Sequence, residues 1–285
     1  MKTPWGMLKD LDLQDHELAA SILLGDKHQL IEGLVVECLF DQVVRNMPGM
    51  STRQIIPVDI ETVVAIPDHD RHRHMAFVWA RNLCAGLGRC LAALDRCMQT
   101  FLLLRREGTF KAAPTSGGKR SGEWQDLECL VAELSGRPSL PFKVSPSVRD
   151  TNRQRQAFWG FLSDYYGNTM GERVVLPRLL INHGIQPHFR AVWNLDRFLV
   201  RDNEVWLFEI KHKFPMERGR SLSFGINNGE LALLSRLSLA GIRCLHVIMV
   251  KPVWNKESGS MHLLNDLNLR NRTAIIATVI DSQSA

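Results

Sequence analysis

Two rhythms of apolar residues alternate along this chain. Residues 26–47 repeat them at steps of three and four, through Leu30, Ile31, Leu34, Val35, Cys38, Leu39, Val43 and Val44. That spacing predicts an amphipathic helix, with Asp26 placed to cap its start and Pro48-Gly49 to end it. Residues 54–66 change to a strand-like composition, in which Pro57 marks an edge or a break. Residues 75–106 return to helical steps through Leu83, Leu87, Cys90, Leu94, Cys97, Phe101 and Leu104, which predicts one long helix with a heptad seam. Residues 111–122 read as a flexible loop, 123–134 as a short helix, and 135–150, rich in Pro and Ser, as a linker. Residues 151–166 read as a helix with Phe158, Trp159 and Leu162 inward and Arg153 and Arg155 outward.

Past that helix the pattern tightens. Residues 192–213 read as two strands rich in Trp, Phe, Val, Leu and Ile, joined at Asp202-Asn203, a tight-turn pair. Residues 227–239 predict a helix with Leu231, Leu234 and Leu237 on one side and Gly241 just past its end. Residues 242–250 form a continuous apolar strand, and residues 273–280 a final one. Hairpin, helix and strand in this order predict a crossover to a parallel neighbour, and so an α/β layer structure. The domain boundary falls at the linker. It separates a mainly helical N-terminal domain (1–148), suited to targeting or dimerisation, from an α/β domain (149–285).

A two-residue turn at Asp202-Asn203 fixes the register of the hairpin. Arg201 then faces Glu204, and Asp196 faces Glu209, with Lys211 two residues along on the same face. Directly opposed side chains lie about 5 Å apart at Cβ, and like charges so placed are destabilising. A positive group belongs between them, either Lys211 or a divalent cation held by both carboxylates. The same face continues as Phe198, Val200, Val205 and Leu207. The other carries Leu195, Leu199, Trp206, Phe208 and Ile210, so both faces are apolar enough to be covered.

An acid on one strand, Glu-X-Lys on the next, then a helix and a strand: this arrangement resembles the PD-(D/E)XK nuclease superfamily. Asp196 stands for the first acid, and Glu209-Ile210-Lys211 for the rest of the motif. The resemblance runs over residues 168–251. It implies a restriction-endonuclease-like mixed sheet flanked by helices. It also implies Mg²⁺, with Mn²⁺ as a substitute, held by Asp196, Glu209 and the Ile210 carbonyl, and hydrolysis of DNA phosphodiester bonds. Lys211 would orient or deprotonate the water, or stabilise the transition state. Glu172, in GNTMGERVVLPRLL, matches the acid that many members add from their first core helix. Two departures stand out: Asn194-Leu195 precede Asp196 where the family name puts Pro, and Pro177 falls inside the first helix. The implied activity is that of a metal-dependent DNA endonuclease in a mobile-element, transposition or phage-defence setting. The alternative is a catalytically inactive nuclease-fold subunit that binds DNA or builds an assembly.

Charge supports the same half of the chain. The net charge is +5, but residues 1–148 hold 17 Lys/Arg and 18 Asp/Glu, while residues 149–285 hold 18 and 12. The positive excess lies beside the acids, which suits DNA as the partner. Lys213, Arg218 and Arg220, just past the motif, are the candidate phosphate contacts. The heptad rhythm suits ordinary packing within the N-terminal domain or, more sharply, a dimer interface; the partners expected with DNA are a second copy in a homodimer or a larger nucleoprotein assembly. Six cysteines without paired zinc spacing point to reduced thiols in a bacterial cytoplasmic protein, and no apolar run is long enough to cross a membrane. His69, Asp70, His72 and His74 could bind metal, but no second His-Asp pair follows them, and they read as a polar loop.

Overall fold

The computed structural model describes residues 1–26, 28–46, 55–136, 139–143, 153–219, 221–251, 264, 273–281 and 283. Strands β1 (Lys2–Thr3) and β2 (Gly6–Met7) precede helices α1 (His16–Leu24) and α2 (His28–Arg45). Strands β3 (Ile55–Val58), β4 (Ile60–Ile66) and β5 (Met75–Ala80) lead to α3 (Leu87–Asp95). Then come β6 (Gln99–Arg106), β7 (Thr109–Ser116), β8 (Lys119–Arg120), β9 (Gln125–Asp126) and α4 (Leu127–Ser135). Helix α5 (Arg153–Tyr166) opens the second half, followed by a helical run with α6 (Leu176–Leu179) at its middle. Strands β10 (Ala191–Leu195), β11 (Arg197–Arg201), β12 (Glu204–Lys213), β13 (Met216–Arg218) and β14 (Ser221–Ser223) precede α7 (Asn228–Leu239), β15 (Ile242–Val250) and β16 (Ile275–Ile280). The class is α/β with mixed sheets.

Two large sheets share the work. The first has the order β10-β4-β5-β6-β7-β8, with β9 also on β7; the second has the order β16-β15-β12-β11-β3. In the second, β12 and β15 run parallel, joined by α7 as the crossover, and the other pairs are antiparallel. Helix α2 covers the face carrying Leu199 and Ile210. Helices α3 and α7 cover the face carrying Phe198, Val200, Val205 and Leu207. Helices thus pack on both faces, as their composition requires, although Trp206, Phe208 and Leu245 stay half-buried around an open apolar depression on the α2 side.

A bent two-stranded ribbon ties the sheets together. One chain passes from β3 to β4 through Asp59, and the other from β10 to β11 through Asp196. Leu195 pairs with Thr62 and Phe198 with Val58, so two residues on one strand oppose three on the other. Such an extra residue bends a strand and re-aims its side chains. Because of this bend Leu195 packs with Phe198 and Val200 in the α3–α7 core, rather than on the Leu199 side. The ribbon also carries both sheets across the expected boundary at 148/149: β3 comes from the first half, and β10 from the second.

Several local expectations hold. Helix α2 forms where the periodicity places it, and its expected Pro48-Gly49 stop lies outside the described residues. Pro57 sits in β3, the edge strand of the second sheet, where its missing amide breaks no inner ladder. Residues 67–74 are a polar loop. Helix α7, β15 and β16 lie where the pattern put them, and Gly241 follows α7 with φ 85°.

Two expectations fail. Residues 75–106 are not one helix but β5, α3 and β6, with β5 and β6 parallel. All six residues of β5, MAFVWA, are buried, so there is no alternation to mark the strand. Leu83, assigned to the seam, is 93% exposed in the connection, while Leu87, Cys90 and Leu94 do face the core from α3. The first half is therefore rich in strands. Residues 111–122 are not a loop: β7 and β8 form a hairpin across Gly117-Gly118, with φ 58° and 81°. The expected linker at 135–150 falls largely outside the described residues.

The run around Pro177 resolves its departure. The α-helical turn of α6 starts at Leu176-Pro177, and wider π turns flank it at Gly171–Val175 and Leu180–Ile185. A proline gives no amide to the ladder, and wide turns beside it let the run continue.

Candidate active site

The hairpin register is the expected one. Arg201 pairs with Glu204, and Arg197 with Phe208, across a turn in which Asp202 has φ 53°, a conformation Asp tolerates. Ladder pairing ends at Arg197, so Asp196 sits one step beyond it, at the bend of the ribbon. Its Oδ2 accepts a 2.7 Å hydrogen bond from the Ile210 amide. Lys211 Nζ donates to Glu209 Oε1 at 2.5 Å. Glu209 is 4% exposed, and its Oε2 has no hydrogen-bond partner among the described residues.

Two further groups close the site. Asn227 caps α7 by accepting from the amides of Gly229 and Glu230. Glu230 is then the third helical residue, from which a carboxylate commonly reaches back to the cap amide. Here it turns toward the sheet, 3.4 Å from Lys211 Nζ and 4.0 Å from His246 Nε2. The parallel register of β12 and β15 sets His246 beside Glu209. His246 Nε2 is buried and has no hydrogen-bond partner among the described residues. Asn227-X-X-Glu is a visible helix-start pattern, but the direction of the Glu230 side chain is not legible in it. His246 shows only as a polar residue interrupting the apolar run IRCLHVIMV, which does not say what it faces.

The electrostatics follow from this crowding. Burial pushes the Asp196 carboxyl up from its ordinary range, although Lys211 and the Ile210 amide pull the other way. Burial and then the Asp196 charge hold Glu209 well above its ordinary range. Burial works against the Lys211 charge, but Glu209, Asp196 and Glu230 outweigh it and keep the ammonium protonated. Three carboxylates thus face one ammonium in a poorly hydrated place, and that arrangement favours an added cation. Two carboxylates, one with an unused oxygen, are the hard donors that Mg²⁺ or Mn²⁺ takes. Among the described residues no group of three or more His, Cys, Asp and Glu gathers closely enough to hold a metal by itself. An ion here would rest on Asp196, Glu209, the Ile210 carbonyl and several waters, which suits Mg²⁺.

The other expected site residues divide: Lys213 lies beside the site, and Glu172 does not. Glu172 is exposed and lines a separate depression with Arg105 and Glu107; the helical run turns Val174 and Val175 inward instead. Lys213 Nζ donates to the Gly225 carbonyl at 2.5 Å, next to the site. Arg218 ends β13, and Arg220 lies outside the described residues. In the 67–74 loop, Asp70 Oδ1 accepts from the amides of His72 and Arg73, His69 Nδ1 lies 3.2 Å from the Ser135 carbonyl, and His74 Nδ1 lies 3.1 Å from the His72 carbonyl. No helix among the described residues is long and apolar enough to cross a membrane. No protein-family model matches the chain, and no curated protein matches it.

Proposed function

We propose that this chain is a Mg²⁺-dependent DNA endonuclease of the PD-(D/E)XK type. The observation that carries the reading is buried Glu209 beside half-buried Asp196, with Lys211 ion-paired to Glu209, at the bend where β11 begins. The sheet around them supports it: β11, β12 and β15 lie side by side, with α2 on one face and α7 on the other. A mixed sheet with helices on both faces is compatible with that motif.

Bound metal would supply a water more acidic than bulk water and neutralise charge on the phosphate. Asp196 and Glu209 would hold the ion. The Ile210 amide keeps the Asp196 carboxylate in place. Lys211, held in its charged form, serves as a fixed cation beside the oxygen on which charge develops. Glu230 holds Lys211 from the helix side. The basic excess of residues 149–285 would attract the DNA backbone.

The experiment is a supercoiled-plasmid nicking assay with Mg²⁺, with EDTA and with Lys211→Ala. Nicking that needs Mg²⁺ and Lys211 is the expected result; equal nicking by wild type and variant would overturn it. One observation favours a second reading, a nuclease-fold subunit that binds DNA without cutting: the Lys211–Glu209 ion pair already occupies one of the two carboxylates. Salt-sensitive DNA binding with no Mg²⁺-dependent nicking would establish that reading instead.

A further inference from the structure

A cavity of about 440 Å³ opens beside the bend of the ribbon, and none of Asp196, Glu209 and Lys211 lines it. Arg197 does, because neighbouring residues of a strand point to opposite faces. The volume falls in the range of small-molecule sites, about 300–1,000 Å³.

The wall has more cation than anion. Arg197 holds Asp41 at 2.9 Å and Glu37 at 3.0 Å. Arg81 holds Asp59 at 2.9 Å and Glu61 at 2.6 Å, and Arg173 reaches the same Asp59 oxygen at 2.7 Å. Every carboxylate on the wall is therefore already engaged by an arginine. Arg45 donates to the Tyr165 hydroxyl at 2.6 Å and meets no carboxylate among the described residues. Deeper in, Arg81 Nε is buried without a hydrogen-bond partner among the described residues. Behind Arg197, burial raises the Glu37 carboxyl to about 8, although the Arg197 charge pulls the other way.

Surplus guanidinium donors around a concavity of this size call for an acceptor-rich anion, and guanidinium forks match phosphate geometry. We propose that this cavity binds a phosphorylated small molecule of nucleotide size, at a site separate from the carboxylate pair. The proposal does not depend on the nuclease reading.

Isothermal titration of the full chain with adenosine monophosphate tests it, with inorganic phosphate and a short single-stranded oligonucleotide as comparison probes. The proteins are wild type, Arg45→Ala/Arg173→Ala and Lys211→Ala. The expected result is saturable nucleotide binding, tighter than phosphate, weakened at least about tenfold in the double variant and unchanged in Lys211→Ala. Should the double variant unfold, Arg45→Ala alone replaces it, since that change breaks no ion pair among the described residues. Any one of four results overturns the proposal: no saturable nucleotide binding, phosphate binding as tightly, an unaffected arginine variant, or loss in Lys211→Ala. Binding of the oligonucleotide alone would also overturn it, by assigning these arginines to a nucleic-acid backbone.

Discussion

The carboxylate of Asp196 accepts its hydrogen bond from the amide of Ile210, the residue between Glu209 and Lys211. The first acid of the site is thus tied to the centre of the Glu-Ile-Lys motif by a side chain, just where the backbone ladder between β11 and β12 stops. Asp196→Asn keeps an acceptor for that amide, whereas Asp196→Ala does not. Urea melts should show Asp196→Ala less stable than Asp196→Asn by about 1–3 kcal/mol, the cost of a buried donor left without a partner. Both variants should lose nicking. Equal melts would mean the bond contributes nothing.

Metal binding should be visible without catalysis. A ligand that binds only the folded chain adds about 2.7 kcal/mol at a hundred times its Kd. Mg²⁺ should therefore raise the melting temperature of wild type but not of Asp196→Asn/Glu209→Gln. The same rise in both proteins would place the ion elsewhere.

Glu37 makes stability depend on pH. Its folded pKa, about 8, lies above the ordinary carboxyl value of 4.5 expected in the unfolded chain. Between those values the unfolded chain has lost the proton and the folded chain keeps it. Stability from this group is complete below 4.5 and is lost as pH rises toward 8, by at most about 1.4 kcal/mol per pH unit. Glu37→Gln should flatten that fall in melts taken across the same range. A parallel pair of pH profiles would show that Glu37 titrates normally.

Asp26 is 2% exposed and receives Arg178 Nε at 2.6 Å and Asn182 Nδ2 at 2.7 Å. It joins the start of α2 to the helical run around α6. Asp26→Ala would strip the charge partner from a half-buried arginine, a change that typically costs about 3–5 kcal/mol. Chemical denaturation measures it, and a loss below about 1 kcal/mol would show that the pair is solvated like a surface ion pair.

The Gly117-Gly118 turn separates two effects of glycine. Both residues have positive φ, but a Cβ at Gly117 meets open space, while one at Gly118 would lie 2.1 Å from the Gly88 carbonyl oxygen on α3. Gly117→Ala should cost about 1–2 kcal/mol, the left-handed penalty alone. Gly118→Ala should cost clearly more, because α3 must move. Similar losses in both would mean the contact relaxes freely.

The hairpin of β11 and β12 was legible because a two-residue turn, alternating side chains and local pairing are all written within some twenty residues. Pro57 and the Asn227 cap were legible for the same reason. The β5–α3–β6 unit was not. MAFVWA is covered on both faces, so it carries no period of two, and its apolar residues merged with those of α3 into a false heptad. The β7–β8 hairpin was hidden because Lys, Ser and Gly are common in loops. Its order comes from contacts far away in sequence, such as Asp95 accepting from Thr115 Oγ1 and the Gly118 amide.

What the sequence determined alone was the set of short-range relations: a tight bend, two acids brought level, a lysine beside them, and a crossover to a parallel strand. Tertiary structure decided the rest. It sent β3 and β10 across to opposite sheets, turned Glu172 outward, brought Glu230 and His246 to Lys211, and built an arginine-lined cavity from five separate segments. Pairing rules act between neighbours in the chain and can be read from it. The direction of a side chain on a distant helix depends on how whole layers pack, and no local pattern records that.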